Sequence, residues 1–274
     1  MKQIYCGITG HTGTIGKNLI KNNKGIIFSY FKGDITKKKQ VRKWINKSKF
    51  EYVIHLAAIV PIKEVNNNKK KAYNVNTVGT SNLVDALINT KNNVSWLFFS
   101  STSHVYSSSK SKIKENFPIK PISYYGKTKY LAEKKLKKLK NKKIKLCIGR
   151  IFSTANNSQR KNYLVPDLKN KIKKSIKKIN LNNLNHFRDF ISINDISKII
   201  LFFLKNKTEG IINISSGKKV KLSSIAEVIA KKYKKKINIE TNSETTYLVG
   251  DNQKLKKVYK KKLNINLKDM IFNN

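Results

Sequence analysis

Gly10-His11-Thr12-Gly13-Thr14-Ile15-Gly16 is the stretch whose reading decides the fold. It lies between an apolar run at residues 3–8 and an amphipathic run at 13–22, so the glycines mark a strand-to-helix turn. Glycine there permits a tight reversal, close approach of backbone to a diphosphate, and close packing of helix on strand. The helix that follows aims the positive end of its dipole at the same phosphates. The expectation is a dinucleotide cradle made by Gly10, Thr12, Gly13, Thr14, Ile15 and Gly16.

Working outward, strand-like runs at 3–8, 25–30, 52–56, 94–100 and 144–149 alternate with helical stretches at 13–22, 36–46, 72–89 and 124–140. That alternation predicts a Rossmann-like, doubly wound parallel α/β sheet covered on both faces, occupying residues 1–150. Beyond Arg150 the pattern loosens. A polar loop at 153–162 precedes a helix at 166–178 with Pro166 in its first turn, and 180–185 reads as a turn-rich linker. A helix at 195–205, a strand at 210–215 and a helix opening on the capping-box spacing Ser224…Glu227 complete a smaller α/β part. Residues 151–274 are therefore expected to form a substrate-binding part interleaved with the first, and no internal repeat is present.

Composition bounds the partners. The chain has 274 residues, with 59 Lys+Arg against 15 Asp+Glu and a formal charge of +44. A charge of that size points to nucleic acid or an anionic surface. Here the lysines are spread along the chain among asparagines and isoleucines, and in helical stretches they keep to the polar face. The reading is a solvated surface inflated by A/T-rich coding, with nucleic acid as the rival. The longest apolar run, Ile199-Ile200-Leu201-Phe202-Phe203-Leu204, is far too short to span a bilayer. The first residues carry no signal-peptide pattern, and Cys6 and Cys147 sit singly in apolar strands without metal-ligand spacing. A cytoplasmic protein with reduced thiols and no metal is expected.

The chemistry is carried by Tyr125-Gly126-Lys127-Thr128-Lys129 and, upstream, Thr102. Residues four apart share one helix face, so the Lys129 ammonium can stand beside the Tyr125 phenol. A phenol of ordinary pKa about 10 is a poor base at neutral pH unless its anion is stabilised. A nearby cation supplies that, and a hydroxyl such as that of Thr102 can orient the reacting oxygen. Hydride transfer at an alcohol carbon needs such a group, because a proton must leave as the hydride does.

These motifs resemble the extended short-chain dehydrogenase/reductases of the nucleotide-sugar epimerase and dehydratase group, and the resemblance runs over more than 200 residues. Gly33-Asp34-Ile35 is similar to the segment whose aspartate contacts adenine, and His55-Leu56-Ala57-Ala58 to the strand end lying along the cofactor. Asn76 falls at the family's helix asparagine, and Ser100-Ser101-Thr102-Ser103-His104-Val105-Tyr106 at the strand carrying the catalytic Ser/Thr. Arg188-Asp189-Phe190-Ile191 is similar to the segment whose arginine holds the substrate diphosphate, and Asn213-Ile214-Ser215-Ser216-Gly217 to a late strand-turn signature. The resemblance implies Thr102, Tyr125 and Lys129 as catalytic residues. It implies Asp34, Ile35, Leu56, Ala57, Ala58, Asn76, Ser100 and Phe152, with Tyr125 and Lys129, as further contacts to NAD or NADP. Thr102, Ser103, His104, Ser153, Val165 and Arg188 would meet a nucleotide sugar. It also implies a homodimer formed through the helices at 72–89 and 124–140 and a role in surface polysaccharide synthesis.

Departures from the family pattern narrow the reaction. The 4,6-dehydratases carry Asp-Glu after the catalytic threonine, where this chain has Ser103-His104, which argues against loss of water. Ser153 stands where an asparagine usually touches the substrate phosphate, and the basic residue expected just before Asp251 is missing. The segment 25–34 is short, and no acid stands near Tyr30 and Phe31 to take the adenosine ribose; Lys32 would suit a 2′-phosphate. NAD and NADP both stay open. So do epimerase and 4-keto-sugar reductase, and His104 reads equally as an acid/base group or a strand-end histidine. The rivals from other classes are a nucleic-acid-binding protein and a non-catalytic structural protein on the same scaffold.

Overall fold

A computed structural model describes residues 3–156, 159, 161, 163–176, 178–241 and 243–272. Positions 157, 158, 160 and 162 of the expected loop, and Lys177 of the expected helix, lie outside the described residues. Six strands, β1 (Ile4–Thr9), β2 (Ile26–Tyr30), β3 (Tyr52–His55), β4 (Trp96–Thr102), β5 (Lys145–Ile151) and β6 (Gly210–Ile214), form one parallel sheet. Their spatial order is β6-β5-β4-β3-β1-β2. After β2 the chain crosses back over β1 to lay down β3, so winding reverses between β1 and β3. A crevice opens beyond the carboxyl ends of those two strands, where ligands bind in sheets of this kind.

Both faces are covered because each strand is apolar on both sides. Ile8, Ile54, Phe98 and Ile212 point to one face and pack with Leu19, Ile196, Ile200 and Phe203 of the helices Thr14–Lys21 and Ile193–Lys205. Their neighbours Val53, Leu97, Phe99 and Ile148 point to the other. There they meet Val41, Leu83, Ala132 and Leu136 of the helices Lys38–Lys47, Gly79–Ile88 and Tyr124–Leu136. A third cluster joins Leu168 and Ile172 of Leu164–Lys174 to Ile225 and Ile229 of Leu222–Lys232, roofing the carboxyl end of the sheet.

The later segment differs from its sequence reading at several points. The strand near 210, read as lying in the interleaved later part, pairs with β5 and forms an edge of the main sheet. Residues Ile179–Asn182, overlapping the stretch 180–185 read as linker, form a strand with Ile237–Glu240, because Ile179 and Leu181 face the third core while the asparagines face out. The last long helix starts at Leu222, and Ser224 is no cap: its hydroxyl donates to the Lys221 carbonyl from inside the first turn. The stretch read as one helix over 72–89 is three pieces, Lys69–Tyr73, a π-helical turn Asn74–Val78, and Gly79–Ile88.

Candidate active site

The glycine turn sits at the crevice. Gly10 has φ +73, and a Cβ there would lie 2.5 Å from the Ala57 nitrogen. A Cβ on Gly16 would lie 2.5 Å from the Gly10 carbonyl oxygen. The two glycines thus let β1, β3 and the first helix close to backbone contact, as the sequence reading requires. The helix Thr14–Lys21 begins at Gly13 with no side-chain cap, so its leading N–H groups face the cavity that Thr12, Thr14 and Ile15 line. An uncapped helix start beside a glycine cradle fits the diphosphate of a dinucleotide.

The opposite wall of the crevice, Leu56–Ala58, is set by a buried relay that sequence reasoning missed. Thr80 donates to the Asn76 carbonyl (2.7 Å), so it accepts from His55 Nε2 (2.9 Å). His55 Nδ1 is then bare and accepts from Thr9 (2.6 Å), which in turn accepts from the Ala57 N–H (3.3 Å). The relay needs neutral imidazole. Burial, with the charge of Lys129, holds His55 down to about 3.

Thr102 ends β4, and Tyr125 and Lys129 lie on the first turns of Tyr124–Leu136. That helix is started by Ser123, whose hydroxyl accepts from the Gly126 N–H (3.1 Å) and also meets His104 Nδ1 (3.0 Å). Thr102 Oγ1 accepts from the His104 N–H (3.2 Å), leaving its own proton for Tyr125. Burial raises the Tyr125 phenol, the nearby Tyr163 adds to that, and the Thr102 hydrogen bond opposes it. Lys129 is 1% exposed, with its ammonium 4.1 Å from the centre of the Phe99 ring. Burial drives it down to about 7, against the opposing pull of the Glu133 carboxylate. His104 lies at about 4, lowered by burial and by Arg188.

These groups share one cavity of about 670 Å³. Its lining brings together the glycine turn, Leu56, Ala57 and Ala58, and then Ser100, Thr102, Tyr125, Lys129 and Phe152. Ser103, His104, Ser153 and Arg188 line it as well. Tyr163 and Gln159, which the sequence reading did not single out, line it too. Arg188 is not paired with its neighbour: Asp189 accepts from the Ser216 N–H and hydroxyl and from the Gly217 and Gly250 N–H groups. Among the described residues the Arg188 guanidinium donates to Thr246 and to the Phe187 carbonyl, and burial lowers it to about 10. It stays cationic at neutral pH and, among the described residues, meets no carboxylate.

Four expected contacts lie outside this lining. Asp34 is exposed, and its carboxylate folds a turn by accepting from the Thr36 N–H and hydroxyl, which lowers its pKa. Ile35 and Val165 are core residues. Asn76 is fully buried and bonds both backbone groups of Ile59 (2.8 and 3.0 Å) and Thr128 Oγ1 (3.0 Å), tying the crevice wall to the Tyr125 helix. Among the described residues no cluster of His, Cys, Asp or Glu could hold a metal, and no helix is long and apolar enough to cross a membrane.

A parallel sheet reversing at a glycine turn, with Thr102, Tyr125 and Lys129 across the same cavity, defines a Rossmann-like protein of the extended short-chain dehydrogenase/reductase type. The chain belongs to the GDP-mannose 4,6 dehydratase family, whose model matches residues 8–270, and so to the NAD(P)-dependent nucleotide-sugar epimerases and dehydratases. It is 29% identical over 266 residues to GDP-6-deoxy-D-talose 4-dehydrogenase of Aggregatibacter actinomycetemcomitans, covering 90% of this chain and 88% of that one. In fold it is similar to RMD from Pseudomonas aeruginosa complexed with NADPH (TM-score 0.88, 19% identity, 98% of this chain and 96% of that). It is also similar to the Thermus thermophilus UDP-glucose 4-epimerase complex with NAD (TM-score 0.85, 18% identity, the same two coverages of 98% and 96%).

Proposed function

We propose that this chain is an NAD(P)-dependent oxidoreductase that interconverts the C4 hydroxyl and C4 ketone of a nucleotide-linked 6-deoxy sugar, with GDP as the first nucleotide to try. The observation that carries the reading is one cavity lined by both the glycine cradle and Thr102, Tyr125, Lys129 and Arg188. The named activity of the talose relative over most of both chains supports the 6-deoxy sugar and net redox outcome. Interconversion by C4 epimerisation is the second reading, supported by the epimerase relatives.

The residues divide the work as follows. The glycine turn and the first helix would hold the diphosphate of the cofactor, and Lys129 its nicotinamide ribose. When bound, the nicotinamide ring accepts or supplies the hydride. Tyr125 takes the C4 hydroxyl proton in oxidation and returns it in reduction, while the Thr102 hydroxyl holds the same oxygen. Lys129, when charged, would lower the phenol that burial has raised. Arg188 offers a forked donor to the sugar-nucleotide diphosphate. Ser103 and neutral His104 meet the sugar hydroxyls.

Incubation with GDP-, UDP-, dTDP- and CDP-sugars and their 4-keto forms, read by cofactor absorbance and mass spectrometry, tests this. Stoichiometric cofactor turnover with a 4-keto-6-deoxy sugar is expected, and Tyr125→Phe should abolish it while cofactor binding survives. Full turnover by Tyr125→Phe would refute the mechanism. No conversion of any sugar together with tight, salt-dependent RNA binding would favour the nucleic-acid reading.

A further inference from the structure

Beneath Lys129 lies a buried ion pair that the reaction as described does not use. Glu133 follows Lys129 by four residues on the same helix, so the two share a face. Arg150 donates to both Glu133 oxygens, from Nε (3.1 Å) and Nη2 (2.8 Å), and the two side chains are only 3% and 5% exposed. Ser101 donates to Glu133 as well, and Ser101 and Arg150 are register partners on β4 and β5. The remaining Arg150 donor goes to Tyr106 (2.8 Å) and the Glu115 carbonyl. Tyr106 donates onward to Asn213. Every oxygen and nitrogen of the pair is therefore held, between the helix Tyr124–Leu136 and two adjacent central strands of the sheet. A buried pair of this kind is a weak source of stability when compared with apolar packing, so its placement invites another role.

We propose that Glu133, clamped by Arg150 and Ser101, is a positioning residue that keeps the buried Lys129 ammonium charged and directed at Tyr125. The inference rests on the reading of Tyr125 and Lys129 as the acid/base pair. Other groups near Lys129 do not supply the negative charge. His55 and His104 are neutral, Tyr125 is protonated at rest, Tyr106 is pushed up to about 12 chiefly by burial, and Arg150 is cationic. Phe99 offers its ring face. Glu64 and Lys63 line the cavity, and Glu115 bonds the Asn213 N–H. Glu133 is the carboxylate whose field reaches Lys129. Without it Lys129, which burial already brings down to about 7, would be a neutral amine at neutral pH, leaving it beside a neutral phenol, the wrong arrangement for either direction of proton transfer.

The test is the pH profile of turnover for the enzyme with cofactor and the active sugar from the panel. In Glu133→Gln both limbs should move toward acid pH by about one unit, because one negative charge has left the coupled pair, and the maximum should fall about tenfold or more. Glu133→Asp should restore the limbs. Arg150, left unpaired in the single variant, threatens folding, so Glu133→Gln with Arg150→Met supplies a second construction of the same loss. Its limbs should move in the same direction, with folding followed by near-UV circular dichroism. Limbs that overlay the wild type in folded variants would overturn the proposal, since a purely structural pair would lower amplitude and stability alone. Full turnover by Lys129→Met would instead refute the reading on which it rests.

Discussion

Gly126→Ala isolates the geometry of the site from its chemistry. Helix propensity favours the change: alanine is better than glycine by about 1 kcal/mol inside a helix. The Gly126 φ lies outside the left-handed range, so the backbone gives no reason for glycine. Space gives one. An added Cβ would lie 2.0 Å from the His104 carbonyl oxygen and 2.5 Å from its carbon, whereas Cβ contacts below 3.0 Å essentially do not occur. That carbonyl is fixed by the Ile122 N–H at 3.0 Å and belongs to the short turn Ser103–Val105, directly after Thr102. Helix and turn must part by about 1 Å, and with them Tyr125 and Thr102. A displacement of that size costs about 100-fold in rate, and overpacking costs about 1–3 kcal/mol, which outweighs the propensity gain. Steady-state turnover should fall about 100-fold and the melting temperature by a few degrees. Cofactor affinity, measured by titration, should fall far less than turnover does, since the glycine turn is not touched and only the Lys129 contact moves with the helix. Turnover within about threefold of wild type and an unchanged or raised melting temperature would refute the reasoning.

Two further outcomes follow from the charged groups. Arg188→Met should raise KM for the nucleotide sugar about tenfold or more with a smaller change in kcat, because the guanidinium is spent on no carboxylate; equal KM values in steady-state kinetics would refute it. For Lys129, the folded pKa of about 7 lies below the ordinary 10.5, so between those pH values the unfolded chain binds one more proton. Stability of the cofactor-free protein should therefore rise with pH across that window, by about 1.4 kcal/mol per unit from this group. Lys129→Met should remove that part of the slope in urea titrations, and a wild-type-minus-variant difference that is flat across the window would refute it.

The sheet was legible because its evidence is local. Period-2 and period-3.6 patterns and one glycine turn place β1 to β5 and the helices between them to within two residues or so at most ends. What was illegible is pairing at long range. Nothing in the sequence of Gly210–Ile214 says that it joins β5, more than fifty residues upstream, and nothing in Ile179–Asn182 names Ile237–Glu240 as its partner. The site divides the same way. Gly10, Thr102, Tyr125 and Lys129 each sit in a motif, whereas the Thr9–His55–Thr80 relay and the Ser101–Glu133–Arg150 clamp exist only once strands and helices are assembled. One signal for the clamp was available. Glu133 is an acid at helical spacing from Lys129 in a chain with 15 acids against 59 bases, and an acid so placed is worth asking about. Ser123 was another, a hydroxyl residue just before a helical run.

The tyrosine-lysine spacing gains its meaning from burial. In a chain this rich in lysine the spacing alone separates nothing, but among the described residues Lys129 is the lone buried lysine. Charge on a buried ammonium is costly, so a site that needs it must hold compensation nearby, and Glu133 stands one turn along. The neighbouring position argues in the complementary direction. In the proposed reading Ser103 and His104 stand where dehydratases carry acids, and half-buried His104, lowered to about 4 by burial and the Arg188 charge, lies too low to serve as a cationic acid in their place. Loss of water requires proton transfers at a second carbon, apart from the one that Tyr125 is proposed to serve. With a neutral imidazole and a hydroxyl as the groups proposed to meet the rest of the sugar, the proposed chemistry stays at a single carbon, which is what a 4-keto-sugar reductase or a C4 epimerase needs.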